Sequence, residues 1–166
     1  MALYKIYNGP SPTTAAQVPV TTGTAIKTLL QIKPFVVCRI VAWGISFDGI
    51  AAATPIKCEL IDTGTVFATV TAHVDAGVPK FGSGEQAVAS IQGLTMGTTA
   101  TGYTATAEGS ITACKVLDAQ LIAPTNQYAY EFSLGREPVI IIGNCGRIRV
   151  TAGAAVNAYA WMLLDL

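Results

Sequence analysis

Residues 127 to 134, QYAYEFSL, alternate strictly: Tyr128, Tyr130, Phe132 and Leu134 fall on one side, Gln127, Ala129, Glu131 and Ser133 on the other. Successive side chains that take opposite faces describe a strand half-buried in an antiparallel sheet. The same period recurs along the chain. IKCEL turns Cys58 and Leu60 inward and Lys57 and Glu59 outward; RIRVT turns Ile148 and Val150 inward and Arg147, Arg149 and Thr151 outward. In SITACKVLDAQLI the expected apolar face is Ile111, Ala113, Leu117, Ala119 and Leu121, with Lys115 as its misfit. No segment carries a long apolar stripe at 3.6-residue spacing, and GEQAVASIQGL, at 84–94, has room for one helical turn.

Two segments are apolar on both sides. FVVCRIVAWGISF sets Val37, Val41, Trp43, Ile45 and Phe47 against Val36, Cys38, Ile40, Ala42 and Gly44, and leaves Arg39 needing a partner. VNAYAWMLLDL sets Tyr159, Trp161 and Leu163 against Val156, Ala158, Ala160 and Met162. Strands covered on both faces predict a sandwich interior on one side and a second layer or subunit on the other. Turn residues fall between the strands at Asn8-Gly9-Pro10, Asp48-Gly49, Thr63-Gly64, Gly135 and Gly143-Asn144, and Pro34 cannot sit within a sheet. The fold these signals predict is all-β: one antiparallel β-sandwich over 1–166, jelly-roll-like, with about nine or ten strands. Residues 1–34 are expected to be able to form an arm. The segment 93–108, GLTMGTTATGYTATAE, is expected to be an extended loop at a subunit interface. It is nearly free of charge and has little rotamer entropy to lose, which suits it to lie against another protein.

Only 12% of the residues are charged, against roughly 25% in an ordinary soluble domain, and ten basic residues balance ten acidic ones. A neutral, weakly charged surface is poorly protected against association, so much of it is expected to be covered by copies of the chain or by a partner. Scattered cations and zero net charge argue against a nucleic-acid groove. The apolar runs are too short and too often interrupted for a membrane-spanning helix, and MALYKIYNGPSP has no signal-peptide pattern. Cys38, Cys58, Cys114 and Cys145 form no paired spacing and are expected to be buried free thiols, with two disulfides the alternative. The single histidine, His73, lies in TVTAHVDAG and is expected at a surface or turn.

One triplet carries possible chemistry. Asp62-Thr63-Gly64 in ELIDTGT matches the aspartic-protease motif, in which two such carboxylates share a proton across a dimer, and VIIIGN (139 to 144) resembles the segment that braces that loop. The same triplet is ordinary turn chemistry, with Asp bonding the turn and Gly supplying positive φ. FGSGE, at 81–85, lacks the Lys of a phosphate loop. With one histidine and dispersed acids, no catalytic residue, metal set or cofactor site is predicted.

GYTATAEGSITACKVLDAQLIAPTNQYAYEFSLGREP and GRIRVTAGAAVNAYAWMLLDL resemble the β-sandwich head-decoration (cement) proteins of tailed bacteriophages, and less closely small tail or fibre domains. The resemblance implies a non-enzymatic virion protein, made in the host cytoplasm, that binds the major capsid protein on the outer capsid surface. It also implies assembly with itself, as a trimer, and no cofactor. The expected interface residues are Thr98, Thr99, Thr101, Tyr103, Thr104, Arg136, Glu137 and Trp161. A carbohydrate-binding, lectin-like sandwich is the alternative, and a protease subunit built on Asp62 a third.

Overall fold

The computed structural model describes residues 3–10, 15–50, 54–78, 80–81 and 93–166. Through them run β1 (Leu3–Tyr7), β2 (Val20–Thr21), β3 (Ile26–Ile32), β4 (Cys38–Phe47), β5 (Ile56–Asp62), β6 (Thr69–Ala72) and β7 (Lys80–Phe81). They are followed by β8 (Gly102–Ala107), β9 (Lys115–Ile122), β10 (Gln127–Glu131), β11 (Val139–Ile140), β12 (Gly146–Thr151) and β13 (Asn157–Asp165). One 3-10 turn, Asp75–Gly77, is the only helical element among the described residues. Setting aside the two-residue strands β2, β7 and β11 leaves ten, in line with the alternation in the sequence. The helical turn expected within 84–94 lies almost wholly outside the described residues.

The strands form two antiparallel sheets, so the all-β sandwich read from the sequence is the fold observed. The first runs β10-β4-β13-β1-β7, with β2 beside β13 and β11 beside β4; the second runs β6-β8-β3-β12-β5-β9. A two-stranded ribbon rolls from one sheet to the other. β4 pairs with β10 and β5 with β9, and both crossings lie at the same end, where Ser46 faces Gln127 and Ile56 faces Ile122. Hydrogen bonds from Phe47 N–H to the Asn126 carbonyl (3.2 Å) and from Gly49 N–H to the Pro124 carbonyl (2.8 Å) carry the pairing round the corner. A Cβ on Gly49 would sit 2.7 Å from that Pro124 oxygen, so the corner needs glycine. The β3–β4 and β12–β13 crossings lie at opposite ends and interlock the sheets. Between the layers pack Trp43, Ile45, Leu60, Ile148, Met162 and Leu164, all essentially buried.

Two bulges overturn expectations about which side chains face inward. In β4 the pairing jumps from Leu163↔Ala42 to Leu164↔Ile40, leaving Val41 over. Cys38 and Ile40 before the bulge therefore point the same way as Trp43, Ile45 and Phe47 after it, into the core. The strand's second apolar face shrinks to Ala42 and Gly44, and Gly44 is covered from within the chain by Trp161, so its composition requires no second layer. In β9 the pairing jumps from Leu60↔Asp118 to Ile61↔Val116, leaving Leu117 over. Asp118, Gln120 and Ile122 then face inward, and Leu121, expected inside, is 74% exposed.

Other expectations are also corrected. Residues 3–7 and 26–32 are not an arm: β1 lies between β13 and β7, and β3 between β8 and β12. Within 93–108 only the first part is loop, and 102–107 is strand β8 of the chain's own second sheet. All four cysteines are free; Cys38, Cys58 and Cys145 are buried, but Cys114 is exposed. Burial pushes the Cys38 and Cys58 thiols up to about 12, which keeps them protonated and unreactive.

The two long sides of the sandwich are each pinned by one polar side chain. On the ribbon side the Asp118 carboxylate accepts from Trp43 Nε1 (3.1 Å) and from the Tyr128 hydroxyl (2.8 Å), joining β9 to β4 and β10. On the other side His73, just beyond β6, reaches the Tyr7 carbonyl at the end of β1 through Nε2 (2.8 Å). His73, expected at a surface or turn, lies in the connection between β6 and the 3-10 turn but is a buried seam residue, 2% exposed.

Candidate docking surface

At one end of the sandwich three loops meet: β3–β4, β10–β11 and β11–β12. Gly143 N–H donates to the Pro34 carbonyl (3.1 Å), Ile40 N–H to the Pro138 carbonyl (3.0 Å), and Phe35 N–H to the Gly93 carbonyl (2.8 Å). β11 pairs Val139 with Arg39 and Ile140 with Cys38, at the start of β4. These stitches bring large apolar side chains to the surface. Phe35, Val37 and Ile141 are each more than half exposed, Ile142 is 62% and Leu134 93% exposed, and Val139 borders them.

Local sequence explains why they point outward. Both tips are tight turns with a left-handed glycine third: Ser133 to Arg136 with Gly135 at φ +79°, and Ile141 to Asn144 with Gly143 at φ +85°. The second residue of such a turn projects away from the chain, and here that residue is Leu134 in one turn and Ile142 in the other. Turn tips are ordinarily polar. Ile140 points into the core at 0% exposure, which leaves Ile141 and Ile142 no inward position before the chain turns. None of these six was among the expected interface residues; Leu134-Gly135 and Ile142-Gly143, an aliphatic residue directly before a turn glycine, was the available signal.

Charges border the cap. Arg39, half exposed, pairs with the nearly buried Glu137 at 3.8 Å, so Glu137 partners Arg39, and Arg136 stays exposed. The Lys33 ammonium lies 4.3 Å above the Phe67 ring.

The Thr-rich residues reach this end, but not as a uniform surface. Thr98 and Thr99 are exposed, whereas Thr101 is buried, its hydroxyl accepting from Lys33 N–H (2.9 Å). Tyr103 packs its ring on His73, 4.9 Å between centroids. Thr104 takes φ +53°, an unusual backbone for a β-branched residue, and its hydroxyl is buried without a partner. Trp161 is elsewhere, on the outer face of the first sheet opposite Gly44 and Tyr7. Its indole covers Gly44, where a Cβ would lie 2.6 Å from the ring, and the Lys5 ammonium lies 4.2 Å over it. With Gly44 beneath it and Lys5 over it, the ring is not an open stacking platform.

Asp62-Thr63-Gly64 and the 139–145 segment do meet, as a turn. Asp62 Oδ1 accepts from Gly64 N–H (2.8 Å), and the Asn144 amide donates to both carboxylate oxygens at 3.2 and 3.1 Å. Thr63 spends its hydroxyl on the Val66 carbonyl (2.7 Å). Among the described residues the partners of the Asp62 carboxylate are thus a backbone amide and an asparagine side chain. Three hollows are shallow: about 300 Å³ beside Asp62 and Cys114, 210 Å³ between the Thr22–Lys27 segment and β8, and 320 Å³ beside Asp48 and Asn157. No group of metal-ligating side chains converges among the described residues, and none of their helices is long and apolar enough to cross a membrane. No family model, curated protein or solved structure matches the chain.

Proposed function

We propose that this chain is a structural virion protein, a capsid decoration protein that seats its loop end on the outer surface of a major capsid lattice. One observation carries the reading: five large apolar residues from three loops, with Val139 of β11, are exposed toward one end of a domain poor in charge. A free monomer rarely concentrates apolar surface in this way without a partner for it. The cap sits on a rigid base, because each loop is bonded to a neighbouring strand or loop, so little order would be lost on docking. Asp62 supports the structural role as well, since its two oxygens are committed to the turn and to Asn144.

The test is co-sedimentation with assembled shells of the virus that encodes the chain, for the natural sequence and for the double variant Leu134→Lys, Ile142→Lys. Both positions are exposed, so the variant should keep its stability to within about 0.5 kcal/mol. Binding is expected to fall at least tenfold. Unchanged binding by a folded double variant would remove the cap as the docking surface.

A further inference from the structure

We infer that His73 is an acid-sensitive latch that holds the docking cap in shape through the Thr-rich loop. The route is continuous. The His73 side chain ties the loop's base to β1 through the Tyr7 carbonyl (2.8 Å). Its backbone holds the loop itself, its N–H donating to the Thr101 carbonyl (3.0 Å) and its carbonyl accepting from Gly97 N–H (2.7 Å). The loop in turn holds the cap: Thr95 N–H donates to the Lys33 carbonyl (2.9 Å), the Gly93 carbonyl takes the Phe35 N–H (2.8 Å), and Leu94 bridges to Pro34.

Chemistry at the ring gives the latch its direction. A neutral imidazole donating through Nε2 carries its lone pair on Nδ1, and no hydrogen bond is formed there. Protonation would add a donor and a charge inside the seam. Among the described residues the titratable side chain packed on the ring is the Tyr103 phenol from β8, while β1 presents the Tyr7 backbone carbonyl, with the Tyr7 ring turned toward Lys5. Asp75 opens the 3-10 turn two residues on, and no ion pair joins it to His73. An imidazolium there loses most of its hydration and keeps only the Tyr7 carbonyl as a compensating partner. Burial accordingly pulls the His73 pKa below its ordinary 6.5, against a smaller upward push from the Tyr7 bond. The unfolded or unlatched state then takes up a proton first as pH falls. Stability of the seam is complete above about pH 6.5 and declines from there toward the lower folded-state value.

The inference rests on the docking reading only for what the latch controls, and the two are separable by experiment. Amide exchange, corrected for intrinsic rate, is measured at pH 7.5 and 5.0. Gly97, His73 and Thr95 should exchange faster at pH 5.0, by up to about thirtyfold, the limit that an unlatched pKa of about 6.5 sets at that pH. The amides of Gly49 and Cys145, bonded elsewhere, should not change. His73→Gln, whose amide can still donate to Tyr7 but cannot titrate, should abolish the difference. An equal response in His73→Gln, a uniform response at every amide, or an imidazole that titrates at its ordinary value by NMR in the unaltered protein would each overturn the latch. Shell binding weaker at pH 5.0 supports control of the cap, and binding equal at both pH values overturns it. Binding absent at both fails the docking reading, and the exchange measurements then decide the latch alone.

Discussion

Glu108 is the only charge in a long run of Thr, Ala and Gly, and it has a specific task. Its carboxylate accepts from Thr28 N–H (2.6 Å) and from the Thr28 hydroxyl (2.5 Å), and lies 3.6 Å from the Arg147 guanidinium. Arg147 occupies an outward position on β12, yet it is fully buried. The β5–β6 connection, 63–68, passes over the outer face of the second sheet and closes above it. Arg147 Nη2 donates to the Val66 carbonyl of that strap (2.5 Å) and Nη1 to the Glu108 carbonyl (3.0 Å). Next to it on β3, the Gln31 side chain exchanges two bonds with Ala68 (2.8 and 3.0 Å). Removing a buried charge that satisfies two carbonyls strands its partners. Arg147→Ala is expected to lower the unfolding free energy by about 3–5 kcal/mol, measured by urea denaturation. A loss below about 1 kcal/mol would mean that the strap is not held this way. Glu59 is a second buried charge on that face. Burial alone would raise its carboxyl, but hydrogen bonds from Lys57 and Arg149 outweigh it and bring the group below its ordinary range.

Among the elements, β10 was legible in part: alternation marks an edge strand with Tyr128 turned toward the core, but the strand ends at Glu131, and Tyr130 and Leu134, expected on the same face, are exposed. β4 and β9 were not legible. Each carries one extra residue, Val41 or Leu117, that drops out of the ladder, and where a bulge falls is decided by the partner's register. The same limit hid the candidate site. Arg147 reads as a surface residue until a connection from another part of the chain covers it, and the cap exists only once three loops far apart in sequence meet. Glycine reads equally poorly from composition. Gly44, mid-strand, costs about 0.5–1 kcal/mol in chain entropy, and its place is explained by the Trp161 ring lying over it. Gly44→Val is therefore expected to destabilise by about 1–3 kcal/mol through overpacking. It should also change the emission of Trp161, while Trp43, in the core, stays dark to added quencher. A variant as stable as the natural chain with unaltered emission would mean the ring can lie elsewhere.

At the scale of the whole molecule the sandwich has two pinned sides, a strapped face and one apolar end. A protein that decorates a symmetric lattice meets several equivalent subunits at once, and a trimer matches a three-fold joint. Light scattering over a concentration series is expected to give a native mass about three times 17.2 kDa; a constant mass of one chain would remove self-assembly from the proposal.

The position of β13 in the first sheet has a consequence for how the chain is made. It lies between β4 and β1 and also takes β2 along its length, so three strands of that sheet meet through it. It follows the other twelve in the chain. While the ribosome is still delivering it, β1 and β4 have no centre to join and Trp43 has no Met162 beside it. The first sheet cannot close progressively behind the growing chain; its strands must wait, apolar faces open, for the one that arrives after them.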